Sequence, residues 1–417
     1  MATARKAAAD LLDAVLRGRR TLDDAMGVVL ALRSLEPRDR GFARMLAATV
    51  LRRLGTLDAL LAKCLDKGNP PQPVVAALRL GAAQLLFLGT PAHAAVGETV
   101  DLAPPKLRGL AKAVLRRIAR DGNALLAEID QDRADTPDWL WSLLVDGYGE
   151  ARARAIAAAQ RKEPPLDLSV KADPALWAER LGAVLRPSGS LRLEEAGPVP
   201  DLPGFEEGAW WVQDEAAALP ARLLGDVSGK RVLDLCAAPG GKTLQLAAAG
   251  AKVVAVDQNA KRLDRLVENL ARTGLAAEIV AADAAKWRAP QPFPFVLLDA
   301  PCTSTGTLRR HPEIAHLKTE ADAAKLVSAQ DKLLDAAAAA TAPGGTLVYA
   351  VCSLDPREGS ARIAAFLARH RDFARVPIAP AELGSRAELI DAAGDLATDP
   401  THAMDGFHAA RLRRADG

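Results

Sequence analysis

The 417-residue sequence predicts an α/β fold: a doubly wound, mainly parallel sheet towards the C-terminus, preceded by an all-α helical bundle and a small mixed connector. Three observations predict it. From Lys230 onward, short apolar runs (RVLDLC, KVVAVD, AEIVAAD, FVLLDA, GTLVYAV, HAARLRR) alternate with helical patterns such as NAKRLDRLVENLART, as repeated strand–helix–strand units do. The first run ends at Asp234 and turns through Pro239-Gly240-Gly241 into TLQLAAAG, which reads as strand, glycine-rich turn and helix. Before residue 128, by contrast, apolar residues recur at helical spacing throughout.

In chain order, Leu11, Leu12, Val15 and Leu16 form a first apolar stripe and Leu22, Met26, Val29 and Leu30 a second. Pro37 interrupts before a run through Phe42, Leu46, Val50, Leu54 and Leu57, and Asn69-Pro70-Pro71 is a break. A basic helix, LRGLAKAVLRRIAR, sets Arg108, Lys112, Arg116, Arg117 and Arg120 beside Leu110, Val114 and Ile118. The connector holds WLWSLLVDGYGEARARAIAAAQ as helix, LDLSVK (166–171) as strand, and a loop-rich stretch from Pro187 to Pro203. Trp210 and Trp211 read as core before the helix AAALPARLL. The expected divisions are 1–127, 128–205 and 206–417.

Net charge is only +2, but residues 1–127 carry 20 Lys+Arg against 11 Asp+Glu while the remainder carries 34 against 41. A basic helical part beside a mildly acidic one suits a nucleic-acid reader joined to a catalytic part, or a merely solvated basic face. Cys64, Cys236, Cys302 and Cys352 are dispersed without CxxC spacing, and the histidines do not cluster. No metal site and no disulfide framework are expected. The charged amphipathic N-terminus is unlike a secretory signal, and no apolar run approaches the roughly 20 residues that span a bilayer. A cytoplasmic protein with no membrane partner, acting as a monomer, is expected.

Glycines at the first strand-to-helix turn admit a ligand to backbone N–H groups, and an acid closing the next strand, Asp257, suits the two hydroxyls of a ribose. The site is therefore expected to hold a nucleoside-bearing cofactor. GxGxxG is absent, as is GxxxxGK[ST], and S-adenosyl-L-methionine fits best. Asp283 and Asp299 close later strands, and Cys302 and Cys352 lie at the same strand ends. A thiolate beside a methyl donor has a specific use: the C5 carbon of a pyrimidine is too weak a nucleophile until a thiolate adds to C6. An acid such as Asp299 near N3 would stabilise the charge that develops, and the base must leave its stack to enter. Spacing does not say which cysteine attacks.

CAAPGGKT (236–243), Asp257 followed by Arg262, Asp283, DAPC (299–302) with LRRHPEI (308–314), the pair Cys352-Ser353 and DGF (405–407) together resemble the RNA 5-methylcytosine methyltransferases of the NOL/NOP/Sun group. DRGFARMLAATVLRRLGTLDALL, LRLGAAQLLFLGTPAHAAVGETVDLA and LRGLAKAVLRRI resemble the NusB-type RNA-binding bundle. The resemblance implies a Rossmann-like sheet, S-adenosyl-L-methionine as cofactor, and small-subunit ribosomal RNA as partner. It implies Cys352 as nucleophile, Cys302 in release of the methylated base, and Asp299 holding the base. It also implies Cys236, Ala237, Ala238, Pro239, Gly240, Gly241, Lys242, Asp257, Arg262, Asp283 and Asp299 around the cofactor. Thr303-Ser304-Thr305-Gly306 departs from the usual Ser-Gly-Thr-Gly, and Val351 from the usual Thr. The same chemistry on tRNA or another ribosomal site, or an RNA-binding scaffold without activity, remain the alternatives.

Overall fold

The computed structural model of the chain describes residues 3–65, 68 and 70–416. Asn69 of the expected break, and the first two residues of the N-terminal pattern, lie outside them. The chain forms two compact units: residues 1–163 with 308–319, and residues 164–307 with 320–417.

The first unit is helical. Its helices run Ala4–Leu16, Leu22–Val28, Pro37–Arg52, Leu54–Cys64, Gln72–Leu86, Ala92–Val100, Arg108–Ala127, Asp138–Tyr148 and Glu150–Gln160, with shorter turns between. Pro37 opens its helix, where its missing N–H costs nothing. The run from Phe42 to Leu57 is two helices meeting at Arg53, and the later run breaks at Gly149, whose φ is +75°. In Arg108–Ala127 the buried face is Ala111, Val114, Leu115, Ile118 and Leu126. Leu110, read with Val114 and Ile118 as the apolar residues beside the basic ones, lies one helical step off that stripe and is exposed. Arg108, Lys112, Arg116 and Arg120 are exposed. The segment 308–319, expected within the catalytic part, groups with this unit. There the Arg309 carbonyl accepts from Arg52, Glu313 accepts from the Leu22 N–H, and His316 bonds the Leu51 carbonyl at 2.9 Å.

The second unit has two sheets. Strands β1 (Leu166–Val170), β2 (Val184–Leu185), β3 (Leu191–Leu193) and β4 (Trp210–Val212) form an antiparallel sheet in the order β2-β3-β1-β4. Trp210 and Trp211 are buried as read, though on a strand. The larger sheet contains β5 (Arg231–Leu235), β6 (Lys252–Asp257), β7 (Glu278–Ala281), β8 (Phe293–Asp299), β9 (Thr341–Val351), β10 (Phe373–Arg375), β11 (Leu396–Ala397) and β12 (His408–Arg414). Its order is β10-β12-β9-β8-β5-β6-β7, with β11 on β12; β5 to β9 are parallel and β10 to β12 antiparallel. The sheet is thus mixed, with the expected parallel centre.

Near-continuous apolar runs make these central strands because both faces are covered. Leu233, Leu235, Val296, Leu298, Leu347 and Tyr349 face one core with Leu333, Leu334 and Phe366 from the helices Glu320–Ala340 and Ser360–Arg369. Val232, Val253, Leu297 and Val348 face the other with Leu219 and Leu246 from Glu215–Arg222 and Gly241–Ala248. Each such side chain contributes about 1.5–3 kcal/mol on full burial, so the strand ends that carry the functional residues start from a rigid frame. Because β5 to β9 run parallel, Cys236, Asp257, Asp299 and Cys352 all emerge at one edge, where ligands of open α/β sheets bind. Asp283 does not itself close a strand: β7 ends at Ala281, two residues earlier.

Candidate active site

After β5 the chain turns through Cys236, at φ +61°, and Gly240, at φ +108°, into the helix Gly241–Ala248. A side chain at Gly240 would meet the Leu266 side chain at 2.2 Å in a backbone conformation that already disfavours one, so glycine is required there. The loop is held by the acid on the next strand: Asp257 Oδ2 accepts from the Ala238 N–H at 3.1 Å and Oδ1 from the Asn259 N–H at 2.8 Å. Arg262 donates to the Ala238 carbonyl and stands 3.7 Å from the Asp257 carboxylate. Beneath the loop, Thr243 donates to Asp234 at 2.6 Å, and full burial pushes the Asp234 carboxyl up to about 7.

A cleft of about 900 Å³ opens beside this loop. Cys236, Asp257, Arg262 and Asp283 line it, as expected; Ala284, Pro301 and Leu333 give it apolar walls. Carboxylates together with apolar walls suit a ribose and a flat nucleobase. Each Asp257 oxygen accepts one backbone N–H, from Ala238 of the loop and from Asn259 after the strand, and keeps another lone pair for a hydroxyl. The residues present therefore fit a nucleoside-bearing cofactor. Of the other expected cofactor residues, Ala237, Ala238, Pro239, Gly240 and Gly241 form the turn without lining the cleft. Lys325 and Lys332, on the helix Glu320–Ala340, also line it and carry no sequence motif.

Lys242 turns from that loop to the chemistry. Its Nζ donates to Asp299 Oδ2 at 2.8 Å and lies 5.2 Å from the centre of the Phe407 ring, which gives the DGF segment a place in the site. Burial lowers the Lys242 pKa, but Asp299, with smaller help from Cys352 and Asp234, makes the net shift upward. Asp299 Oδ1 carries no protein hydrogen bond among the described residues.

The two expected cysteines come together at the ends of adjacent parallel strands, with Cys302 Sγ 3.4 Å from Cys352 Sγ. Ser304, held at φ +60°, places its hydroxyl 3.5 Å from Cys352 Sγ and 3.9 Å from Cys302 Sγ. The thiols are unequal. Cys352 is pulled below the ordinary thiol value by the hydrogen bond from Cys302, with help from Ser304 and Lys242 against burial and Asp299. Cys302 is pushed well up by that same pairing and by burial. One sulfur is thus biased to the nucleophilic thiolate and its neighbour to the protonated form. Cys236, also at the cleft, is pushed up by burial and nearby carboxylates and stays a thiol. No spacing rule pointed to Ser304 or to the Lys242–Asp299 pair, since both contacts depend on the fold.

The sequence residues 221–413 match the family "16S rRNA methyltransferase RsmB/F", and residues 2–120 match the NusB family. The ribosomal RNA small subunit methyltransferase B of Pseudomonas syringae pv. tomato is 41% identical, over 98% of this chain and 96% of its own length. That of Pseudomonas putida is 42% identical over 98% of each. The chain belongs to the RsmB/F family of 16S rRNA methyltransferases. Among solved structures, PH0851 covers 98% of the chain with a TM-score of 0.76 at 23% identity, and NSun6 from Pyrococcus horikoshii with SFG covers 67% at 0.59 and 19%. These likenesses establish the Rossmann-like fold of the second unit and its joining to a helical region.

The histidines, scattered in sequence, are not all isolated in space: Asp391, Asp395 and His408 bring possible ligand atoms within 4.8 Å of one another. Arg375 Nε lies 3.1 Å from Asp395 there and supplies positive charge. No helix among the described residues is long and apolar enough to cross a membrane.

Proposed function

We propose that this protein transfers a methyl group from S-adenosyl-L-methionine to C5 of a cytosine in small-subunit ribosomal RNA, through a covalent bond between Cys352 and C6. The observation that carries the reading is the pair of unequal thiols 3.4 Å apart beside Asp299, at the edge that also bears the cleft. Bound in that cleft, the cofactor would supply an electrophilic methyl group. Cys352 Sγ adds to C6, and the C5–C6 π electrons shift towards C4 and N3. N3 takes a proton from water as the charge develops, and Asp299 Oδ1 accepts the hydrogen bond of that N3–H and so holds the neutral adduct. Once C5 is methylated, its proton leaves to water and the electrons of that bond reform C5=C6 as the Cys352–C6 bond breaks, the departing Cys352 thiolate accepting a hydrogen bond from the Cys302 thiol. Cys302 assists this release. Asp257 holds the ribose hydroxyls and Asp283 the adenosine. We assign residues 1–127 to RNA reading, 128–205 to the connector and 206–417 to catalysis, apart from the segment 308–319 that folds with the helices, with relatives named for small-subunit RNA favouring that substrate over tRNA.

RNA transcribed with cytidine tritiated at C5 tests the reaction. Tritium should appear in water in step with methyl transfer, on small-subunit RNA and not on tRNA. Methylation without tritium release would place the methyl elsewhere, and equal activity on tRNA would remove the substrate assignment.

Asp257→Ala should weaken cofactor binding roughly 10- to 100-fold, since ribose hydroxyls and the loop both lose an acceptor. Calorimetry that finds the affinity unchanged would remove Asp257 from the cofactor site.

A further inference from the structure

Glu358 is fully buried and has no ion pair among the described residues. Its carboxylate is held by neutral donors. Oε1 accepts from the Thr303 N–H and from Gln330 Nε2, both at 3.0 Å, and Oε2 accepts from the hydroxyls of Thr303 and Ser353, both at 2.5 Å. Thr303 and Ser353 are the residues directly after Cys302 and Cys352. The second Gln330 hydrogen bond goes to the carbonyl of Pro301, directly before Cys302. Tyr349, near the end of β9, donates to the Glu358 carbonyl at 2.6 Å. One side chain therefore ties together two cysteine loops that lie fifty residues apart in sequence.

We propose that Glu358 is a positioning residue that clasps the Cys302 and Cys352 loops at a fixed separation, so that both sulfurs address one base. The proposal rests on the two-cysteine reading given above. A buried carboxylate is costly unless its lone pairs are filled, and here the donors that fill them come from both loops and from a separate helix. An apolar side chain of the same size would pack but would join nothing. Sub-ångström placement is what such a clasp secures, because a shift of about 1 Å at reacting groups costs on the order of 100-fold in rate. The Glu358 charge also adds to the causes that keep Cys302 protonated, after its pairing with Cys352 and burial.

Phenylarsine oxide tests the separation without RNA. Two neighbouring thiols condense with it, forming two As–S bonds and releasing water, whereas single thiols hold it weakly. The full-length protein should bridge one arsenical across Cys302 and Cys352, and Cys302→Ala should lose that bridge. Glu358→Ala should lose roughly 100-fold in affinity, because the second thiol no longer waits at the right distance. Ser353→Ala, which cuts one arm, and Glu358→Gln, which keeps one carbonyl acceptor, should lose less. Thermal melting accompanies each variant. If Glu358→Ala does not fold, Ser353→Ala and Glu358→Gln decide. Folded variants that capture the arsenical as tightly as wild type would overturn the clasp. A wild-type protein that captures it yet methylates no RNA would instead refute the catalytic reading and leave the clasp standing. With active RNA, Glu358→Gln should lower kcat while leaving the cofactor KM unchanged, a split that general loosening of the fold would not give.

Discussion

Cys302→Ala is expected to halt the reaction as a protein–RNA adduct, and Cys352→Ala to lower methyl transfer by roughly 10⁴-fold or more, the usual scale for losing a nucleophile. The asymmetry follows from the sulfurs' surroundings. Cys352 receives the hydrogen bond from Cys302 and lies near the Lys242 ammonium, so its thiolate is favoured. Cys302 pays for that arrangement with a raised pKa and is poorly suited to open the reaction. Removing Cys302 should leave addition to C6 possible and expulsion of Cys352 slow. A denaturing gel of protein, unmodified small-subunit RNA and methyl-labelled S-adenosyl-L-methionine separates the cases. A labelled adduct in Cys302→Ala alone assigns attack to Cys352, and an adduct in Cys352→Ala alone exchanges the roles. The pH dependence carries a second sign. Cys302 is the largest cause that lowers Cys352, so in Cys302→Ala the pH at half-maximal adduct formation should move upward.

The strand-end placement of Asp257, Asp299 and the two cysteines was legible because parallel strands impose it: apolar runs that end in functional groups must deliver them to one edge. The glycine turn was legible for a similar local reason, since Gly240 sits in a conformation other residues avoid. What stayed hidden depends on contacts between distant segments. Lys242 read as part of a cofactor loop, yet its four-carbon stem carries the charge across to Asp299. LRRHPEI lies between two catalytic stretches in sequence, yet residues 308–319 fold with the helical unit through Arg52, Leu22 and Leu51. Leu110 looked equivalent to Val114 in a one-dimensional pattern, and a rotation of one residue about the helix axis put it in solvent. Glu358 had no signal at all: a lone acid six residues after a cysteine reads as surface until the fold buries it between two loops.

Asp299→Asn is expected to lower kcat by about 10²–10³-fold, the range for removing one preorganised group that meets developing charge, and to destabilise the protein through Lys242. The two effects have separate origins and separate readouts. Catalysis suffers because the amide is a weaker partner for the base, and the labelled adduct should then fail to form even in a Cys302→Ala background. Stability suffers because Lys242 is 8% exposed and loses the carboxylate that does most to offset its burial. Breaking a fully enclosed pair costs about 3–5 kcal/mol. Asp299 is 31% exposed in its side chain, so solvent screening brings the expected loss down to about 2 kcal/mol. In wild type the Lys242 pKa lies above its ordinary 10.5, so the pair's contribution is complete below that value and is lost only as pH rises through the raised one. In Asp299→Asn, burial, the largest single influence, is opposed only by the Cys352 and Asp234 charges, and the folded-state pKa is expected to fall below the unfolded one. Stability missing at neutral pH should then return as pH rises through the lowered value, because the folded state there holds fewer protons than the unfolded chain. Melting curves of both proteins between neutral and alkaline pH check the sign. Parallel curves would mean that Lys242 does not depend on Asp299 for its charge, and the Lys242–Asp299 pair would then have no part in orienting the acid that meets the base.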